Sequence, residues 1–347
     1  MQQFLKNYIS TMWMIGIWYF YYSQVEHFNN FFLKNLTFEV NLFQFNTIHV
    51  FEIIILLYAI LLIPFYIFHT QDSKALIIVK YIQKKVKSST YTISNYEKTS
   101  ILAWCVKLFF APLMILFLTD AIVTISNNTF FAYWDRYLLE HSFIEFFNKH
   151  IFWWCFAIIL WIDVLFYTLW YLIESPRLKN SIKSVEPTAL GWWVVLICYP
   201  PFNTWLTNFI GWYSTNFPQF TSTYFHLFFN ISILLLMGFY SYASVSLWLK
   251  ASNLTNRGII TTWAYKYIRH PAYVCKNFAW WIGVLPLLVW NIQHGDITNT
   301  IIVISSMMAW SWIYYMRAKT EEEHLLSDPD YIEYKKNVPY KFIPKIW

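Results

Sequence analysis

The stretch Trp263-Ala264-Tyr265-Lys266-Tyr267-Ile268-Arg269-His270-Pro271-Ala272-Tyr273 is a polar island between two long apolar runs. Pro271 opens about twenty membrane-compatible residues, roughly the length of one span. Proline is favoured at the first position of a helix, where its missing N–H costs nothing. His270 then falls at the cap, beside free backbone N–H groups and the positive end of the helix dipole. With Arg269 next to it, such a helix start suits an anionic group. The same residues would equally serve a plain membrane boundary, with Arg and His at the headgroups and Pro only starting the helix.

The rest of the chain supplies the class. Hydrophobic residues make up 58% and charged residues 13%, against about 25% charged in soluble domains. Mean hydropathy is +0.38. Aromatics reach 22%, with many Trp and Tyr flanking the apolar runs as interfacial belts do. No small-residue cleavage site follows the apolar residues 9–22, so no cleavable secretion signal is expected. Cys105, Cys155, Cys198 and Cys275 are scattered without a Cys-x-x-Cys, which argues against a disulfide framework or a zinc site.

We read an all-α integral membrane protein of about eight transmembrane helices with a cytoplasmic C-terminal helical tail. The expected spans are 8–23, 48–69, 99–125, 150–174, 189–213, 224–249, 272–290 and 300–318. Residues 1–249 form the N-terminal spans, and residues 250–347 hold the last two spans and the tail. With the N-terminus in the cytoplasm, all but four of the 25 Lys and Arg face that side. Lys34, Arg136 and Lys149 fall outside, and Lys107 lies within a span. Both termini are thus expected to be cytoplasmic, in a bacterial inner membrane or the endoplasmic reticulum.

Residues 74–87 read as an amphipathic surface helix with Ala75, Ile78, Val79, Ile82 and Val86 on one face and Lys80, Lys84 and Lys87 off it. Lys107, Asp120 and Asp163 are ionisable groups inside spans, where they face a cavity or a partner. Pro200 and Pro201 break the hydrogen-bond ladder of the fifth span, and broken helices often line cavities.

One span after the polar island comes Met316-Arg317-Ala318-Lys319-Thr320-Glu321-Glu322-Glu323-His324-Leu325-Leu326. Then follow Asp328-Pro329-Asp330-Tyr331-Ile332-Glu333-Tyr334, Val338-Pro339-Tyr340 and Phe342-Ile343-Pro344. A Tyr-x-x-x-Arg-His-Pro-x-Tyr stretch before the penultimate span, with a Glu pair, Tyr-x-x-Tyr and a late proline after the last, resembles the isoprenylcysteine carboxyl methyltransferase and phospholipid methyltransferase family of integral membrane enzymes. The resemblance covers roughly residues 250–347.

That resemblance implies S-adenosylmethionine as methyl donor. It places Tyr265, His270, Pro271, Ala272, Tyr273 and Glu323 on cofactor positions. Arg257, Gly258, Ile259 and Ile260 follow, with contact through the backbone. Lys319 stands where the prenylcysteine enzymes have a substrate-associated arginine, and lysine cannot make arginine's bidentate fork. Arg317 is the alternative catalytic residue, about 200° around the helix from Lys319. No G-x-G-x-x-G, Walker loop, His-Glu-x-x-His or Gly-x-Ser-x-Gly occurs among the seven glycines and their neighbours. A nucleotide-like cofactor must therefore be held by helix ends and the tail.

The expected activity is methyl transfer to an amphiphilic acceptor in the bilayer, an isoprenylcysteine-like carboxylate being one such acceptor. No metal and no nucleic acid is expected. Two other classes stay open: a membrane sterol or steroid reductase using NADPH, and a non-enzymatic multi-pass transporter or receptor.

Overall fold

Among the described residues, six helices are long and apolar enough to cross a membrane. They are seen in a computed structural model that describes residues 2–24, 37–40, 43–69, 71–127 and 142–344. Lys34 and Arg136, two of the expected outer charges, lie outside those residues. The chain divides into two compact units, Met1–Val123 and Thr124–Trp347, each described by itself.

The first unit holds helix α1 (Gln2–Gln24), an antiparallel hairpin of β1 (Thr37–Val40) and β2 (Phe43–Asn46), α2 (Thr47–Ile67), α3 (Lys74–Lys87) and most of α4 (Asn95–Asn127). α1 is long enough but too polar in composition to be among the six apolar spans, and Asn7, Ser10 and Thr11 are among its buried residues. Its polar groups clamp neighbours instead. Asn7 donates to the Gln71 carbonyl and accepts from the Ser73 N–H, both at 2.8 Å, fixing the start of α3. Pro112 inside α4 has no N–H, so the Leu108 carbonyl four residues earlier loses its helical partner. Trp18 Nε1 and Tyr22 OH of α1 donate to that carbonyl at 2.9 Å each.

α3 forms over the residues read as an amphipathic helix, capped by Ser73. Ala75 and Ile78 are buried, but Ile82 and Val86 of the same expected face are exposed. Only the first half of that face is packed within the protein.

The second unit begins with α5 (Phe143–Leu172), which includes a π-helical turn at Phe147–Ile151. Next come β3 (Ser184–Val185), α6 (Ala189–Leu196) and α7 (Phe202–Thr207). α8 (Thr223–Ser246), β4 (Thr255–Asn256), α9 (Pro271–Gln293), α10 (Ile297–Leu325) and α11 (Pro329–Asn337) complete it. The expected span 189–213 is thus two short helices parted at Pro200–Pro201. The prolines remove donors and bias their predecessors away from helix.

After α7 the chain returns in extended form against α9. Ser214 Oγ donates to the Trp280 carbonyl at 2.8 Å. A Cβ on Gly283 would lie 2.1 Å from the Thr215 carbonyl oxygen, so only glycine permits this approach. Phe152 and Phe156 of α5, Ile233 and Met237 of α8 and Ala279 of α9 form one apolar core. Tyr331, Tyr334 and Val338 form another with Ile259 and Tyr265 around them. α10 packs on α9 and α6. Lys276, counted with the cytoplasmic charges from sequence, lies within α9, and Arg317 lies within α10.

Candidate active site

The two halves of the motif meet at the start of α9. Pro271 is its first helical residue and His270 its cap. His270 Nε2 lies 3.1 Å and Arg269 Nε 2.9 Å from the same oxygen, Oε1 of Glu322. All three side chains are more than nine-tenths buried. Lys335 and Lys341 approach the other oxygen at 3.3 and 3.7 Å. Arg269 Nη1 donates to the Val338 and Pro339 carbonyls at 2.7 and 2.6 Å, and its own N–H to that of Tyr340. Arg269 thus staples the tail across the start of α9 rather than waiting for an anion. The glutamate that meets His270 is Glu322, not Glu323.

A second polar junction holds the segment between α8 and α9. Asp328 caps α11 through the Asp330 N–H and accepts from Asn256 at 2.8 Å and Lys183 at 2.9 Å. Burial opposes its charge, but the hydrogen bonds from Asn256 and Lys183 outweigh this and hold the carboxyl below its ordinary 3.8. A depressed carboxyl stabilises the fold fully above the unfolded value and ceases to do so as pH falls through the folded one. Melting temperature should therefore fall more steeply between about pH 5 and about pH 3 for the native chain than for Asp328→Asn. Equal slopes would remove Asp328 from the acid response.

Beside the His270 junction, a cavity of about 130 Å³ lies between α5, α6, α8, α9, α10 and the segment after α8. Tyr314, Arg317, Thr320, Glu321 and His324 line it from one face of α10, at helical three- and four-residue spacing. Tyr265, His270, Ala272 and Tyr273, all singled out from sequence, line it too. So do Val195 and Tyr199 beside the Pro200–Pro201 break, as expected of a broken helix at a cavity.

Other expected site residues fall elsewhere. Lys319 and Glu323 pair with each other at 3.9 Å on the exposed side of α10, both about half exposed and neither lining the cavity. Pro271 starts α9. Arg257 is buried, its Nη1 donating to the Trp170 and Ile173 carbonyls at the end of α5. Gly258, at φ +106°, donates its N–H to Asn256 Oδ1, and Ile259 packs on the tyrosine cluster. Neither these nor Ile260 lines the cavity.

Sequence reasoning missed Asn253, Tyr240, Lys276, Glu186 and His324, all of which line it. For Glu321 and His324 the signal was available, since both continue the helical face that Arg317 begins. Arg317 is 4% exposed; its Nη2 donates to Asn253 Oδ1 at 3.0 Å and its Nε is buried without a partner. The guanidinium lies 4.9–5.8 Å from the rings of Tyr199, Tyr273 and Tyr314. Lys276 Nζ lies 5.4–5.6 Å from Tyr240, Trp280 and Tyr314. At the other end Tyr273 OH donates to Glu321 at 2.9 Å, and His324 Nε2 shares a 2.8 Å hydrogen bond with Ser184. Burial raises the Tyr265 phenol well above its ordinary value, so it remains a neutral donor. Among the described residues, no group of three or more His, Cys, Asp or Glu is placed to hold a metal ion.

Long apolar helices around an internal cavity with both charge signs on its wall define a multi-pass membrane protein with a polar internal site. Residues 226–327, from α8 to the end of α10, match the isoprenylcysteine carboxyl methyltransferase family, which supports the resemblance read from the sequence and implies a membrane methyltransferase. No curated protein and no solved structure matches the chain at a significant level.

Proposed function

We propose that this chain transfers a methyl group from S-adenosylmethionine to an amphiphilic acceptor dissolved in the bilayer, with both reactants in the cavity beside His270. The observation that carries the reading is the convergence of both halves of the motif on that one charged cavity. The wall suits such a donor in kind: tyrosine rings for an adenine face, and Glu321 for hydroxyls or an ammonium.

When bound, the donor supplies an activated methyl on a sulfonium. The chain positions and dehydrates, which can supply most of the rate for such a leaving group. Glu322 fixes the His270 ring, and Glu321 fixes the Tyr273 hydroxyl. Tyr334 OH donates to the Tyr265 carbonyl, holding the segment against the tail. The positive-inside asymmetry of the loops supports a cytoplasmic mouth.

Thermal shift of the purified chain with S-adenosylmethionine and with NADPH tests the cofactor, together with transfer of labelled methyl groups into sealed vesicles. Stabilisation by the first only, weakened about tenfold or more in His270→Ala, is the expected result. Donor supplied from the cytoplasmic face alone should support transfer. Stabilisation by NADPH alone would replace this reading with the reductase.

A further inference from the structure

The cavity is charged unevenly along its depth. At one end, where α9 begins and α10 finishes, stand Glu186, Glu321 and His324. Lys276 and Arg317 lie farther along their helices, roughly 7 and 12 Å from those ends at 1.5 Å per residue. Neither forms an ion pair with an acidic side chain among the described residues. Lys276 rests among three aromatic rings, and Arg317 keeps its Nε buried and unpartnered. Asp163, buried on α5, is within electrostatic reach of Lys276 but forms no ion pair with it. The two cations thus stand on the cavity wall with no acidic side chain paired directly to either, and a buried charge without a paired counter-charge is expensive.

We infer that Lys276, together with Arg317, binds the oxyanion head of the acceptor, and that Lys276 rather than the exposed Lys319 sets this preference. The inference rests on the methyl-transfer reading above. Carboxylate and phosphate share the required chemistry. For a carboxylate, an oxygen takes the methyl: the O–CH3 bond forms, the S–CH3 bond breaks, and an ester and a thioether remain with no proton to move. Sulfonium and carboxylate charges disappear together. The neutral ester no longer answers the charge on Lys276 and is released towards lipid.

The test uses the full chain in nanodiscs of neutral lipid, without donor. Tryptophan fluorescence is titrated with single-chain lipids bearing a carboxylate, phosphate, amine or methyl-ester head. Donor affinity is measured separately by calorimetry. One or both oxyanion lipids should bind about tenfold or more tighter than the amine and the ester, and which of them does so names the head. Lys276→Met should erase that preference and Lys276→Arg should keep it, with donor affinity within about twofold of native in both. No head-group preference in the native chain overturns the inference, as does its survival in Lys276→Met. Loss of donor affinity in Lys276→Met with the preference intact also overturns it, assigning Lys276 to the donor. A native chain that binds no donor yet still prefers oxyanion lipids would uphold the oxyanion site and strike only the methyl-transfer reading.

Discussion

Glu322→Ala will destabilise the second unit by about 3–5 kcal/mol, because it leaves the buried Arg269 without its counter-charge and the buried His270 without its hydrogen-bond partner. Arg269 and His270 both meet Oε1 of Glu322, and all three side chains are shielded from water. Arg269 also holds the carbonyls of Val338 and Pro339, so loosening it releases the tail from the start of α9. For a unit of this size the loss corresponds to a melting temperature lower by roughly 6–20 °C. Glu323→Ala is the control, since it removes only a half-exposed i,i+4 pair with Lys319, worth about 0.3–0.5 kcal/mol. Melts of both variants in the same detergent check this. Equal small losses would mean that the carboxylate junction does not hold the tail.

Arg317→Met will lower methyl transfer by at least about a hundredfold, the usual scale for removing one preorganised donor from a reacting site. The guanidinium is buried, anchored to Asn253, and faces the cavity over three tyrosine rings. Arg317→Lys should recover little of the rate, because an ammonium can neither stack flat on those rings nor reach Asn253 and a ligand together. Lys319→Ala, on the exposed side of the same helix, should stay within about twofold of native. Labelled-methyl transfer with kcat and KM resolved is the measurement. Native turnover in Arg317→Met alongside a large loss in Lys319→Ala would move the chemistry out of the cavity.

Much of this architecture was legible in the residues. Runs such as 48–69, 99–125 and 224–249 satisfy lipid by composition alone, so their helices follow from length and hydropathy. Pro271 marked the start of α9, and Pro200 with Pro201 marked the break beside the cavity. α1 and residues 189–213 are not among the helices long and apolar enough to span, α1 by its composition and 189–213 by its proline break, but what holds them in place is visible only in their partners. The Asn7 side chain is answered by Gln71 and Ser73, and the chain beyond α7 is held by backbone contacts at Gly283.

The site divides in the same way. By itself the sequence determined a membrane protein, the pairing of the Arg-His-Pro stretch with a glutamate run, and the candidacy of His270, Tyr265, Tyr273 and Arg317. Which of three consecutive glutamates meets His270 was decided by the tertiary structure, because neighbours on a helix differ by about 100° and only docking on α9 selects the phase. The same docking turned Arg269 into a tail staple, set Lys319 and Glu323 in the open, and drew Lys276 into the cavity wall. Hydropathy is a property of residues taken along the chain. A buried charge acquires its role only from the groups that folding places opposite it.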